Sequence, residues 1–314
     1  MKWLRRLLGK LRMREELPAP EVTEPSPLAV PASATLGQAD TQLVPSPEPL
    51  RETRPLPTMS PRSAVGLRFG WATDPGLVRT HNEDALLILH AVYEGSGSLL
   101  PIGLFLVADG MGGHRGGEQA SDLAVREIAC YLTSHLFIPH LARRVPEYPI
   151  KELLEEAVRA ANAQILRAVP GSGTTVVGAL VIGDNVHLIH VGDSRAYLVW
   201  PDRLEQLTED HSLVQRMISL RGLSADEAAS IPRNLLYQAL GHPSQLSPGY
   251  RRISLPPDAW LMLCTDGLWG EVSEDQILRT VRESASPQEA CDRLVQRARA
   301  AGGHDNISMI LIGR

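Results

Sequence analysis

The sequence predicts an α+β fold in which antiparallel sheets are covered by helices, and three observations carry that expectation. Apolar, β-rich runs follow one another directly in the middle of the chain, and helical periodicity is grouped before and after them, unlike a regular βαβ alternation. The stretch from Ala64 to Arg314, about 250 residues, has the size of one large domain and shows no internal repeat of constant period. Proline, by contrast, is concentrated ahead of it: 11 of the 24 prolines fall between Leu17 and Arg62, which leaves 13 in the 252 residues from 63 to 314, an ordinary proportion for a folded domain.

Taken from the N-terminus, residues 1–16 place Trp3, Leu4, Leu7, Leu8 and Leu11 at helical spacing against six basic side chains and two acids, a side-chain charge of +4. This is the pattern of a helix on an anionic membrane surface or an acidic partner, and equally of a frayed basic terminus. It is neither a secretory signal nor a transmembrane span, because Arg or Lys breaks the apolar residues every two or three positions. Residues 17–62 follow, rich in proline and lacking aromatic side chains. Such a segment cannot bury enough apolar surface to offset ordering entropy and is expected to be a disordered, semi-rigid linker. The folded domain is expected over 63–314.

Within that domain strands are expected at Leu67–Ala72, Ala85–Leu89, Ile102–Ala108, Thr174–Ile182, Val186–Val191, Ala196–Trp200, Trp260–Thr265 and Ile307–Ile312. Helices are expected at Glu118–Leu136, Ile150–Ala168, His211–Arg221, Asp275–Glu283 and Pro287–Ala300. The net charge of −5 excludes a generally polycationic, nucleic-acid-coating role. Three cysteines, Cys130, Cys264 and Cys291, are odd in number and lack CxxC spacing, which argues against a disulfide framework or zinc knuckle and for a reducing, cytoplasmic setting.

The chemical signal is four aspartates at strand ends. Apolar runs stop on Asp109-Gly110 and Asp266-Gly267, a third leads through Gly192 to Asp193, and Asp305 stands just ahead of the last strand. Any one Asp-Gly is an ordinary turn former. Four acids at the edges of strongly apolar strands, beside glycines that let backbone carbonyls approach, are instead how a fold converges hard oxygen ligands on Mg²⁺ or Mn²⁺. No Cys/His cluster at zinc spacing competes.

Residues 66–314 resemble the metal-dependent type 2C serine/threonine protein phosphatases in their bacterial form. The resemblance rests on motifs in the family's order: Gly76 to Asp84 (GLVRTHNED), Val107 to His114 (VADGMGGH), Gly173-Thr174-Thr175, His190 to Tyr197 (HVGDSRAY), Leu207 to Ser212 (LTEDHS), Ala239-Leu240-Gly241, Cys264 to Trp269 (CTDGLW) and Gly303 to Ile307 (GHDNI). It implies a four-layer α/β/β/α sandwich with two central antiparallel sheets and a metal centre of two or three Mg²⁺ or Mn²⁺ ions in the cleft at the sheet edges. Asp109 would bridge two metals, the Gly110 carbonyl would bind the second, Asp266 and Asp305 would complete the first, and Asp193 would join Asp266 at a third. Glu83 and Asp84 would hold metal-bound waters, and Arg79 would bind the substrate phosphate, leaving Arg79, Asp109, Asp266 and Asp305 as the catalytic set.

The chemistry implied is attack on phosphorus by a metal-activated hydroxide, with two cations about 3.5–4 Å apart and no protein nucleophile. Ser194 lacks a nucleophile elbow and is read as structural. Where eukaryotic members carry a histidine after Asp-Gly, Met111 stands here, as in bacterial members; a thioether donates no proton, and His114 is the nearest candidate donor in sequence, though it reads equally as a surface turn residue. Leu213 to Asn234 resembles the family's flap beside the site. Gly171 to Thr175 lacks P-loop spacing and reads as a strand entry.

The expected activity is hydrolysis of phosphoserine and phosphothreonine on proteins, opposing Ser/Thr kinases. The expected molecule is a cytoplasmic monomer whose partners are phosphoproteins and, through residues 1–16, a membrane surface or acidic partner, with no nucleic acid. Two other readings share these motifs: an inactive phosphoprotein-binding module, and a phosphatase of anti-sigma-factor antagonists.

Overall fold

The computed structural model describes residues 66–95, 98–112, 115–142, 144, 148–221, 235–243 and 246–314. The expectations for residues 1–16 and 17–62, for His114 and for most of the flap therefore lie outside the described residues.

Two antiparallel sheets form the centre. One runs in the order β1 (Arg68–Asp74), β11 (Ile307–Gly313), β10 (Trp260–Cys264), β7 (Arg195–Val199) and β8 (Leu204–Gln206). The other runs β2 (Asp84–Gly95), β3 (Ser98–Met111), β5 (Val176–Ile182), β6 (Asn185–Val191) and β9 (Gly249–Ser254), with β4 (Gly173–Thr174) pairing the end of β3. Helices α1 (Arg115–Leu132) and α3 (Ile150–Ala168) cover the second sheet. Helices α6 (Glu274–Glu283) and α7 (Pro287–Ala301) cover the first. Shorter helical pieces are α2 (Ile138–Leu141), which follows a wide turn at Thr133–Phe137, then α4 (Leu213–Arg221) and α5 (Asp266–Trp269).

The layering follows from the period-two alternation of strands that are apolar on both faces. Along β3, Leu104, Leu106 and Ala108 turn to the α1/α3 layer and pack with Ile128, Leu154 and Ile165, whereas Phe105 and Val107 turn inward to Leu261, Leu263, Ile310 and Ile312 of the facing sheet. Along β10 the same rule sends Met262 and Cys264 outward to Ile277, Cys291 and Leu294. Burial on both faces explains why these strands read as continuous apolar runs although the sheets are antiparallel. Each such Leu or Ile contributes roughly 1.5–3 kcal/mol of burial, which is what ties sheet to sheet. The four-layer sandwich is thus present as expected.

Several boundaries differ from the sequence expectation for local reasons. The first long helix ends at Leu132, before the Thr133–Phe137 turn, and the Thr174–Ile182 strand splits at Thr175. β8 is three residues long, and β9 (GYRRIS) is a largely exposed edge strand whose charges hide its pairing with β6. Cys264 and Cys291 are buried free thiols and Cys130 an exposed one.

Candidate active site

Antiparallel pairing places the start of each strand beside the end of its neighbour, and this gathers the acids. Cys264 at the end of β10 lies opposite Arg195 at the start of β7 and next to Met309 near the start of β11. Asp266, Asp193 and Asp305 therefore meet at one end of the first sheet. On the second sheet β2 begins where β3 ends, so Asp84 and Asp109 are direct cross-strand partners. Two like charges opposite one another destabilise a sheet, and a fold that keeps them has a use for them.

One cleft of about 370 Å³ is lined by Arg79, Thr80, His81, Glu83, Asp109, Gly110, Met111, Gly112, Thr175, Asp193, Leu236, Asp266 and Asp305. Of the residues singled out from sequence, Asp84 sits behind this lining, in the sheet, where Thr265 Oγ1 donates to its Oδ2 at 3.0 Å. His114 lies outside the described residues.

The backbone around Asp109 is held rigidly. Thr175 N–H and Thr174 Oγ1 donate to the Asp109 carbonyl at 2.9 and 2.8 Å, and Asp109 N–H donates to Thr175 Oγ1 at 3.0 Å. Thr175 Oγ1 also shares a 2.6 Å hydrogen bond with Ser194 Oγ, which gives that serine a structural task. Gly110 N–H donates to Glu83 O at 3.1 Å. A Cβ at Gly110 would collide with the Glu83 and Gly117 carbonyls, so only glycine lets α1 and the Glu83 loop close on it. Gly192, at φ +105°, makes the bend that delivers Asp193, and Trp269 Nε1 donates to the Asp193 carbonyl at 3.2 Å.

Burial and mutual repulsion dominate the electrostatics. Burial first, and then the charges of Asp266 and Asp305, push the Asp84 carboxyl up to about 7. Asp109 is raised well above the carboxylate range by burial and by Asp84, Asp266, Asp193 and Asp305. Asp193 is raised to about 7 by burial, Asp266 and Asp210, and Asp266 is raised by burial and Asp305. Arg79 donates from Nη2 to Asp305 Oδ2 at 2.7 Å, and this bond raises its already high pKa.

A hard divalent cation fits this donor set. Asp84 Oδ1 and Asp266 Oδ1 are buried without a hydrogen-bond partner, an arrangement that costs free energy until a positive charge or proton meets them. Among the described residues no three His, Cys, Asp or Glu side chains close into a protein-only cage. Mg²⁺ in particular keeps several waters and takes only one or two carboxylates, so an open ring of acids suits it better than it suits zinc.

Several residues of the site escaped the sequence reading. Asn306 clamps the 75–83 loop: its Nδ2 donates to Pro75 O at 3.0 Å and His81 O at 2.9 Å, and its Oδ1 accepts from Glu83 N–H at 2.8 Å. Arg195 grips Asp210 through two bonds of 2.9 and 2.7 Å, donates to Tyr197 OH and lies 3.6 Å over the Trp269 ring. His211 N–H donates to Gly192 O while its Nδ1 accepts from Gly192 N–H at 3.2 Å, and its ring stacks on His190. Their only sequence signal was membership in motifs whose acids drew the attention.

A two-sheet sandwich with, at one end, a cleft lined by several acids and one arginine has the donors that divalent cations and an anionic substrate call for. The family model for protein phosphatase 2C matches residues 79–308. The serine/threonine phosphatase stp of Listeria innocua is 35% identical over 245 residues, 77% of this chain and 94% of that protein. The crystal structure of the Mycobacterium tuberculosis serine/threonine phosphatase PstP/Ppp superposes with a TM-score of 0.63 at 33% identity, over 79% of this chain and 98% of that one. A structure of the PstP catalytic domain with two manganese ions gives 0.61 at 32% identity, covering 79% and 97%. The chain belongs to the protein phosphatase 2C family, as an enzyme of its bacterial serine/threonine phosphatase branch.

Proposed function

We propose that this chain hydrolyses phosphoserine and phosphothreonine on proteins, with water as nucleophile, at a centre of two or three Mg²⁺ or Mn²⁺ ions. The observation that carries the reading is the convergence of Asp109, Asp193, Asp266 and Asp305 with Arg79 in one cleft. Asp109, the Gly110 carbonyl, Asp266, Asp305 and Asp193 hold the cations, and Glu83 and Asp84 hold their waters. A bound divalent cation supplies a water acidic enough to be hydroxide near neutral pH. The chain's own residues do the rest. The buried acids fix the positions of the charges, the Thr174/Thr175 bonds keep Asp109 from moving, and Arg79 grips the phosphoryl oxygens as their charge develops. Arg79 is half exposed, so an incoming phosphate can compete with Asp305 for its guanidinium.

Phosphorylated proteins are the substrates, and the kinases that made them are the opposing activity. The domain over 63–314 acts as a monomer. Residues 1–16 bring a local charge of +4 to a chain whose remainder carries −9, so attraction to an anionic membrane or acidic partner comes from that segment. Sedimentation with anionic liposomes tests this: equal pelleting of the full chain and a chain lacking residues 1–16 overturns it. Turnover of p-nitrophenyl phosphate with Mn²⁺ tests the activity itself. Asp109→Ala or Asp266→Ala is expected to abolish it, and full activity in EDTA would refute the reading.

A further inference from the structure

Phosphoester hydrolysis at serine or threonine releases an alkoxide, a poor leaving group unless it is protonated as the P–O bond breaks. The cleft lining, among the described residues, offers few donors. Met111 carries no exchangeable proton, Arg79 never gives one up, and the hydroxyls of Thr80 and Thr175 are too weakly acidic. The acids of the lining are assigned to cations and their waters, and the water that a cation acidifies is consumed as the nucleophile, so the donor is sought among the side chains. His81 remains, the one imidazole in the described lining of the cleft.

Its placement suits the task. His81 stands two residues beyond Arg79 on the loop that Asn306 clamps, and Asn306 Nδ2 fixes its carbonyl at 2.9 Å. Its Nδ1 and Thr80 Oγ1 share a hydrogen bond of 2.8 Å, and its side chain is exposed. In the imidazolium both ring nitrogens donate, so Thr80 takes one N–H and Nε2 keeps the other for a ligand. Imidazole is also the side chain that exchanges a proton readily near neutral pH.

We propose that His81 is the general acid that protonates the leaving serine or threonine oxygen, a reading that rests on the phosphatase activity proposed above. Hydroxide adds to phosphorus, the bond from phosphorus to the ester oxygen breaks, and the electron pair left on that oxygen takes the proton from His81 Nε2. The products are the free alcohol side chain and inorganic phosphate, and neutral His81 regains its proton from solvent.

The test compares leaving groups. Against a phosphothreonine peptide with saturating Mn²⁺, His81→Gln is expected to lower kcat about 100-fold. Against p-nitrophenyl phosphate, whose nitrophenolate leaves without a proton, the loss is expected to shrink to a few-fold. Along a series of aryl phosphates the variant's rate should fall more steeply than wild type as the leaving group becomes more basic. Equal losses on both substrates, or no loss on the peptide, would overturn the assignment. So would the selective loss appearing in His114→Gln and not in His81→Gln. A wild-type protein that turns over neither substrate with Mn²⁺ would instead refute the phosphatase reading, which keeps the two failures distinct.

Discussion

Asp266 pays in stability for its place in the site. Its raised pKa means that the folded chain resists carrying this charge, so without cations its contribution is present at low pH and lost as pH rises above the ordinary carboxylate range. Asp266→Asn is therefore expected to stabilise the protein in EDTA, by an increment that grows as pH rises above the ordinary carboxylate range, while removing activity. Thermal melts at rising pH check the sign. Mn²⁺ at about 100 times its Kd should add roughly 2.7 kcal/mol to wild type and much less to the variant. At Arg79, a Lys keeps the charge but loses the planar fork, so Arg79→Lys is expected to lower kcat/KM about tenfold or more. At this scale the four strand-end acids were legible, because an acid closing an apolar run followed by glycine is a local pattern. Asn306 and Thr265 were not. Asn306 reaches back 231 residues to Pro75 and Thr265 reaches 181 residues to Asp84, and only the folded sheets bring those pairs together.

The start of β7 is tied to α5 through the side chains of Arg195 and Trp269. Arg195 holds Asp210 by two bonds and covers the ring of Trp269, whose indole N–H in turn holds the Asp193 carbonyl. Arg195→Met leaves the Asp210 carboxylate, only 11% exposed, without a compensating charge and with Gln206 Nε2 as its remaining side-chain donor, and a loss of about 3 kcal/mol in urea unfolding is expected. Farther along, His211 joins the Gly192 bend to the base of α4, and Tyr237 N–H closes onto the His211 carbonyl. Burial foremost, with help from His190, lowers His211 to about 4. The unfolded chain thus takes up a proton near pH 6.5 that the folded chain refuses, and stability conferred by this site is full above pH 6.5 and lost as pH falls toward 4. Relative to His211→Gln, wild type is expected to lose about 3 kcal/mol over that window. The strands β3, β5, β10 and β11 could be read from their apolar runs. β8 and β9 could not, because three half-buried residues in one and exposed arginines in the other leave no periodicity to see.

At the scale of the molecule, two sheets packed face to face bring strand ends from residues 84, 109, 193, 266 and 305 to one place, while α1 and α3 cover the outer face of one sheet and α6 and α7 that of the other. The architecture was legible because helices and strands are grouped in the sequence. Its four layers were not derivable from grouping alone and came through the family's motifs, since the facing of one sheet on another is set by side chains far apart in the chain. A chain beginning at residue 63 is expected to keep the kcat of the full chain on p-nitrophenyl phosphate within twofold, as all of the proposed ligands and Arg79 lie beyond that point. The central claim is that these acids work through divalent cations. Phosphate release from a phosphothreonine peptide, followed as Mn²⁺ is titrated into EDTA-treated wild type and Asp109→Ala, tests it directly. The account predicts saturable activity in wild type that EDTA abolishes, and none in the variant at any metal concentration. Turnover without metal, or an active Asp109→Ala, would contradict it.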